Sequence, residues 1–243
     1  VLYNVDPLRL DDPERDPGAY KTLCLVRPTD TIPPSELSKL DKYLAAGGNL
    51  FIAINRVTGN VQEGYGYPLV TGLEQWLALK GIIIDDEFVT DIECGSVKVQ
   101  RQDGNYNFTN DIKFPYMPVV SRFAEHSAVM GIDAVSEIKY QGKQYRFIPL
   151  VFSSEKSGLM KAPLAFDLHT KQWNESDFNK SNLVVGAAFE PADSTEEGGR
   201  IVIIADGDFA INGPRETAIQ LEPDQVNLLV NCVDWLSDET GLI

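Results

Sequence analysis

Residues 199–212 read Gly199-Arg200-Ile201-Val202-Ile203-Ile204-Ala205-Asp206-Gly207-Asp208-Phe209-Ala210-Ile211-Asn212. An unbroken apolar run closed by two carboxylates around a glycine is the pattern of a strand buried on both faces that stops at a polar turn. Such strands belong to sheets covered by helices, and open α/β sheets collect ligands at the carboxyl ends of their strands. The segment therefore predicts an α/β protein with its candidate site at Asp206, Asp208 and Asn212. Next outward lies Val226-Asn227-Leu228-Leu229-Val230-Asn231-Cys232-Val233-Asp234-Trp235-Leu236. Val226, Leu229, Val230, Val233 and Leu236 share one helical face, and Leu228, Cys232 and Trp235 widen it. Asn227, Asn231, Asp234 and Asp238 form the polar stripe. A helix this apolar packs on the sheet, and Leu228, Cys232 and Trp235 are its candidate contact with another element or a partner.

Upstream, residues 22–27 form a short apolar run, Pro33-Pro34 opens a helix, and Leu37, Leu40 and Leu44 follow at helical spacing up to Gly47-Gly48. The next apolar run is 49–55. Strand, helix and strand with short joints make a βαβ unit, hence parallel neighbours. The glycine-rich stretch 55–70 reads as a loop at the carboxyl end of a strand. Thr71-Gly72-Leu73-Glu74 fits a capping box, a helix runs to Gly81, and Ile82-Ile83-Ile84 reads as a third core strand. The middle of the chain changes character. Residues 97–101 and 106–108 flank Asp103-Gly104 as a hairpin. Residues 136–140 and 145–151 flank Gln141-Gly142-Lys143 as a second hairpin. Phe114-Pro115-Tyr116-Met117-Pro118 is extended, and 163–168 suits a further strand. The chain thus reads as one α/β domain over 1–243, a parallel-sheet core carrying a β-rich insertion over 92–180.

With 243 residues, 43% of them hydrophobic, the chain buries a sizeable core, and its formal net charge is −15. That charge argues against a nucleic-acid partner and against docking on anionic lipid, since both require a basic patch. The clusters Asp85, Asp86, Glu87, Asp91, Glu93 and Glu190, Asp193, Glu196, Glu197 read as solvated surface, with a cation-holding loop as the alternative. Cys24, Cys94 and Cys232 have neither disulfide-framework nor zinc spacing, although a single Cys24–Cys232 bridge stays open. No stretch approaches the ~20 apolar residues of a membrane span, and no signal peptide is visible. A start at Val1 reads as a fragment of a longer protein.

Asp206 and Asp208 suit Mg²⁺ or Ca²⁺ at a strand end, though carboxylates there more often cap the following turn. There is no G-x-S-x-G, and the two histidines, His126 and His169, lie in the β-rich middle rather than after core strands. That disfavours a hydrolase. Gly47-Gly48 and Gly198-Gly199 precede strands, not helices, so no phosphate loop is formed and no cofactor is expected. Asn107-Phe108-Thr109 and Asn174-Glu175-Ser176 match the glycosylation acceptor pattern, which matters only in a eukaryotic secretory setting.

Six stretches, in order, carry a family resemblance. They are Leu40-Asp41-Lys42-Tyr43-Leu44-Ala45-Ala46-Gly47-Gly48-Asn49-Leu50, then Leu73-Glu74-Gln75-Trp76-Leu77-Ala78-Leu79-Lys80-Gly81-Ile82, then Asp85-Asp86-Glu87-Phe88-Val89-Thr90-Asp91-Ile92-Glu93-Cys94-Gly95. Phe114-Pro115-Tyr116-Met117-Pro118-Val119-Val120, residues 204–212 and residues 231–243 complete the set. Together they resemble the extracytoplasmic domain of the gliding-motility protein GldG and its relatives, auxiliary components of uncharacterised ABC transporters. The resemblance implies a fold of the class I glutamine amidotransferase (flavodoxin-like) kind without that group's Cys–His pair. It also implies a membrane-anchored parent, a location at the periplasmic face of the inner membrane, and an ABC permease and ATPase as partners. Relatives occur in Bacteroidota, including members that do not glide, and the family supplies no catalytic residues. The expectation is a non-catalytic periplasmic domain of a transporter accessory subunit, acting in protein contact or ligand capture. The alternatives are a degenerate amidotransferase-like hydrolase and a glycan- or cation-binding module.

Overall fold

Leu50, Phe51, Ile52, Ala53 and Ile54 have no accessible surface, which requires a strand paired on both edges and covered on both faces. The structure, a computed structural model, meets that requirement. It describes residues 3–103, 106–120, 122–123, 130–131, 135–168, 171–193, 198–212, 221 and 223–238. In chain order the elements begin with β1 (Thr22–Val26), α1 (Pro34–Ala45), β2 (Asn49–Ala53), β3 (Val57–Asn60), β4 (Tyr65–Pro68) and α2 (Leu73–Leu79). Then come β5 (Ile82–Ile84), β6 (Glu87–Asp91), β7 (Cys94–Asp103), β8 (Tyr106–Val120), β9 (Arg122–Phe123), β10 (Met130–Gly131) and β11 (Ile138–Tyr140). The last are β12 (Tyr145–Phe152), β13 (Ser157–Lys161), β14 (Leu164–Ala165), β15 (Val184–Pro191), β16 (Ile201–Ile204) and α3 (Pro223–Ser237).

The main sheet has the order β1-β2-β16-β15-β12-β9. β1 and β16 flank β2 in parallel, with Leu23 beside Leu50 and Ile203 beside Ile52. The βαβ unit read from the sequence is therefore present. The expected parallel-sheet core of amidotransferase or flavodoxin kind is not. Beyond β16 the sheet turns antiparallel, through β15 against β16, β12 against β15 and β9 against β12. Small antiparallel ladders form the rest: β3 with β4 and β4 with β14, β5 with β11, β6 with β13, and β7 with β8 and β8 with β10. The physical reason is that, among the described residues, no α-helix connects two strands after Ile84. Parallel neighbours need a long connection, whereas short turns fold strands back on themselves.

Three further expectations are corrected. Residues 55–70, read as a loop, form the β3–β4 hairpin. Ile82-Ile83-Ile84 is buried as expected but pairs with β11, outside the main sheet. Residues 136–151 form no hairpin, because β11 goes to β5 while β12 joins β15 and β9. The β7–β8 hairpin does form, pairing Asp103 with Tyr106. The Thr71 box forms in part: Gly72 is the N-cap of α2, yet Glu74 accepts from the Thr71 N–H as the box requires, and Thr71 Oγ1 accepts from Leu73 N–H at 3.4 Å.

α1 ends as its glycines predict. Gly47 lies at φ 86°, its N–H donates to Leu44 O, and Gly48 N–H donates to Tyr43 O, a Schellman turn. The turn delivers the chain into β2, where Gly199 crosses it closely. A Cβ on Gly199 would stand 1.7 Å from Gly48 O. A second apolar cluster, apart from the main core, gathers Phe88, Phe114, Tyr116 and Phe166 between the small sheets. Tyr116 and Phe166 have ring centroids 4.8 Å apart.

One member of the supposed solvated acid cluster is wholly buried. Asp91 is 0% exposed and accepts from Ser154 N (2.8 Å), Ser154 Oγ (2.6 Å) and Glu93 N (2.8 Å). Burial pushes its carboxyl above the usual range, against the downward pull of the Ser154 bonds. Between the unfolded and the raised folded values, the folded chain holds a proton that the unfolded chain has released. The resulting stability is present below the unfolded value and is lost as pH rises through the raised one.

Two outcomes follow from this packing. Gly199→Ala loses about 4 kcal/mol or more in urea unfolding, because the opposing atom is backbone and has no rotamer to change. The melting-temperature advantage of the wild type over Asp91→Asn widens as pH falls from about 7 to about 4. A gap that stays constant across that range contradicts the burial argument.

Candidate functional site

Parallel strands present their carboxyl ends at one edge of the sheet, so β1, β2 and β16 bring Arg27, Asn55 and Asp206 to the same place. Asn55 is the joint. Its Oδ1 accepts from Gly207 N–H at 2.6 Å, and its Nδ2 donates to Asp208 Oδ2 at 2.6 Å. Asp208 Oδ1 pairs with Arg27 Nε at 2.8 Å. Asp206 turns inward, 1% exposed, and its Oδ1 accepts from Asp208 N (2.7 Å) and Phe209 N (3.2 Å). Arg27 holds a left-handed backbone at φ 50° while its N–H donates to Ala53 O. That conformation is uncommon for a residue with a Cβ and is kept only where the surroundings over-determine it. Here they are the β2 carbonyl on one side and the Asp208 carboxylate on the other. Phe209 then anchors the turn, packing edge-on to Phe51 with centroids 6.2 Å apart.

The structure brings Asp206 and Asp208 together in this turn. Asn212 lies beyond it, exposed, and contributes none of these bonds. The two carboxylates do different work. Asp206 closes an Asx-type turn, as carboxylates at strand ends often do, and Asp208 ties that turn to β1 and β2. Among the described residues, no three His, Cys, Asp or Glu side chains gather as a metal-ligating group. Arg27 and Asn55 were not singled out from the sequence. The available signal was positional, since each directly follows the apolar run of a parallel strand. His126, His169 and Gly213-Pro214 lie outside the described residues.

On α3, Cys232 is buried and Leu228 and Trp235 are partly buried, all packed with the main core. Burial pushes the Cys232 thiol up to about 12, so it stays protonated. The end of α3 is fixed from several directions. Asn49 Nδ2 donates to Leu236 O (2.7 Å), Thr22 Oγ1 meets Ser237 Oγ (3.0 Å), and the Arg200 guanidinium lies 4.7 Å over the Trp235 ring. All three cysteines are free thiols, Cys24 exposed and the other two buried, so the Cys24–Cys232 bridge does not form.

With fold and site in view, the chain belongs to the auxiliary family of the ABC-type uncharacterized transport system, whose family model matches residues 1–232. None of the curated proteins matches the chain. Among solved structures it is similar in fold to an IFT52 N-terminal domain (mmIFT52), with a TM-score of 0.54 at 12% identity. The match covers 93% of this chain and 80% of that one. The likeness concerns the fold alone, and it agrees with the mixed, β-rich architecture in place of a flavodoxin-like core.

The joint can be tested by charge. Asn55→Asp places a carboxylate against Asp208 and removes the donated hydrogen bond, costing about 3 kcal/mol or more at neutral pH. The crowded pair binds a proton in the folded state, so part of the loss returns as pH falls toward about 5. Asn55→Ala leaves the Gly207 N–H unpaired and shows a loss without that recovery. Urea titrations of both variants across pH read the difference.

Proposed function

We propose that this domain is a non-catalytic accessory domain of an ABC transporter, GldG-like in kind, facing the periplasm. The observation that carries the reading is the family match over residues 1–232. The geometry at the strand ends supports it, because the polar groups gathered there hold one another. Asp208 is engaged by Arg27 and Asn55, and Asp206 by its own turn. Such a cluster stiffens a surface for recognition and leaves no nucleophile beside a base. The protein works by contact with the permease and ATPase of the same transporter, and capture of a ligand for that transporter is a variant of the same role. None of the described helices is long and apolar enough to cross a membrane. In this reading attachment comes from a parent chain anchored outside these residues. Gliding and a Bacteroidota origin come with the GldG resemblance alone, and the accessory role does not depend on them.

The test is recovery of the full-length parent from membranes in mild detergent by an affinity tag. The permease and ATPase co-purify in near-stoichiometric amounts if the reading is right. Recovery of the parent alone overturns it.

A further inference from the structure

β1 is the outermost strand of the main sheet, and its free edge is accounted for by alternation. Lys21 O accepts from Asn49 N and Arg27 N donates to Ala53 O, so the odd-numbered residues turn their backbone groups toward β2. Thr22, Cys24 and Val26 therefore turn their N–H and C=O groups outward. Among the described residues no strand pairs with them. Buried backbone groups are almost always paired, and exposed edges act as templates for another strand.

This edge opens into a cavity of about 960 Å³ lined by consecutive residues from both faces of β1, by Leu40 of α1 and by Val233 and Asp234 of α3. Segment 3–10 forms the outer wall, with Leu8 and Leu10 packed against the core. Its described bonds run to Arg15, Lys39 and its own turn, not to the β1 backbone. Val5 in that wall is 86% exposed. The cavity has the form needed to admit an extended chain, with a backbone ladder on one side and apolar walls above and below. Its charge selects the occupant: Asp6, Asp234 and Asp238 face one cation, Lys21.

We infer that the β1 edge is a docking groove for an extended, lysine- or arginine-bearing segment of a partner polypeptide, which adds to the main sheet as a seventh strand beside β1. The inference rests on the accessory reading for the partner's identity but not for the binding itself.

The probe is a synthetic peptide of alternating threonine and valine with lysine at both ends, titrated into the 243-residue chain by fluorescence anisotropy. Binding protects the Thr22, Cys24 and Val26 amides from hydrogen exchange. Cys24→Pro removes one outward N–H without touching the β2 ladder, a substitution that edge strands tolerate. It weakens binding about tenfold while leaving the melting temperature close to wild type. Asp234→Lys, which needs no backbone change, reverses the preference toward a glutamate-ended peptide. Absence of binding, or equal binding by both variants, overturns the inference. A concentration-dependent dimer that Cys24→Pro abolishes also overturns it, assigning the edge to a second copy. If the parent still captures its permease while the peptide fails, the groove is wrong and the accessory reading stands. If the peptide binds and no transporter subunit co-purifies, the opposite holds.

Discussion

Strand β2 has no accessible side chain from Leu50 to Ala53, and most of the architecture follows from that. Its edges must be paired, which fixes β1 on one side and β16 on the other, both in parallel. Its faces must be covered, and α1 and α3 both pack on it. Apolar burial at about 25 cal/mol per Å² supplies the driving force, but its geometry is set by close backbone approach. Gly199 beside Gly48 O lets β16 come in, and the Asn49 side chain then bonds Arg200 N and Leu236 O together.

The same parallel trio explains why the polar cluster lies where it does. Three strand ends emerge side by side, and Asn55 is the residue type able to both accept from Gly207 and donate to Asp208. The result is a rigid corner. Along the flank of the trio, β1 keeps an open edge, so the described residues combine a closed, self-satisfied corner with an unpaired strand edge beside it.

Much of the trio was legible. The strands at 22–27, 49–55 and 201–205, the helix between the first two and the turn at glycines 47 and 48 form where they were read, although the first strand is a half-exposed edge and not a buried one. The β-rich character of the middle was legible too, and the hairpin over Asp103-Gly104 formed as read. What failed was partner choice. Apolar runs report burial but not direction, so a parallel core was expected although β15 runs antiparallel to β16. Gln141-Gly142-Lys143 looked like a hairpin turn, but Gln141 N–H bonds to Gly81 O and the flanking strands separate. Asp91 looked solvated because its neighbours are charged, and only the fold brings Ser154 over it. At the site, Asp206 and Asp208 were visible as a strand end, whereas Arg27 and Asn55 acquire their roles from strands far away in sequence.

The pairing of β2 with β16 also has a temporal side. Asn49 and Arg200 are 151 residues apart, so one edge of the buried strand β2 can be filled early, by β1 across α1, while the other waits until residue 201 and beyond have been made. During synthesis or export, a nascent chain stalled before residue 201 carries a half-built sheet with a sticky apolar flank. Non-local pairing of this kind folds slowly, and open flanks invite misassociation. The chain is therefore most in need of a chaperone before β16 emerges, and truncations ahead of Ile201 aggregate rather than yield a smaller folded unit.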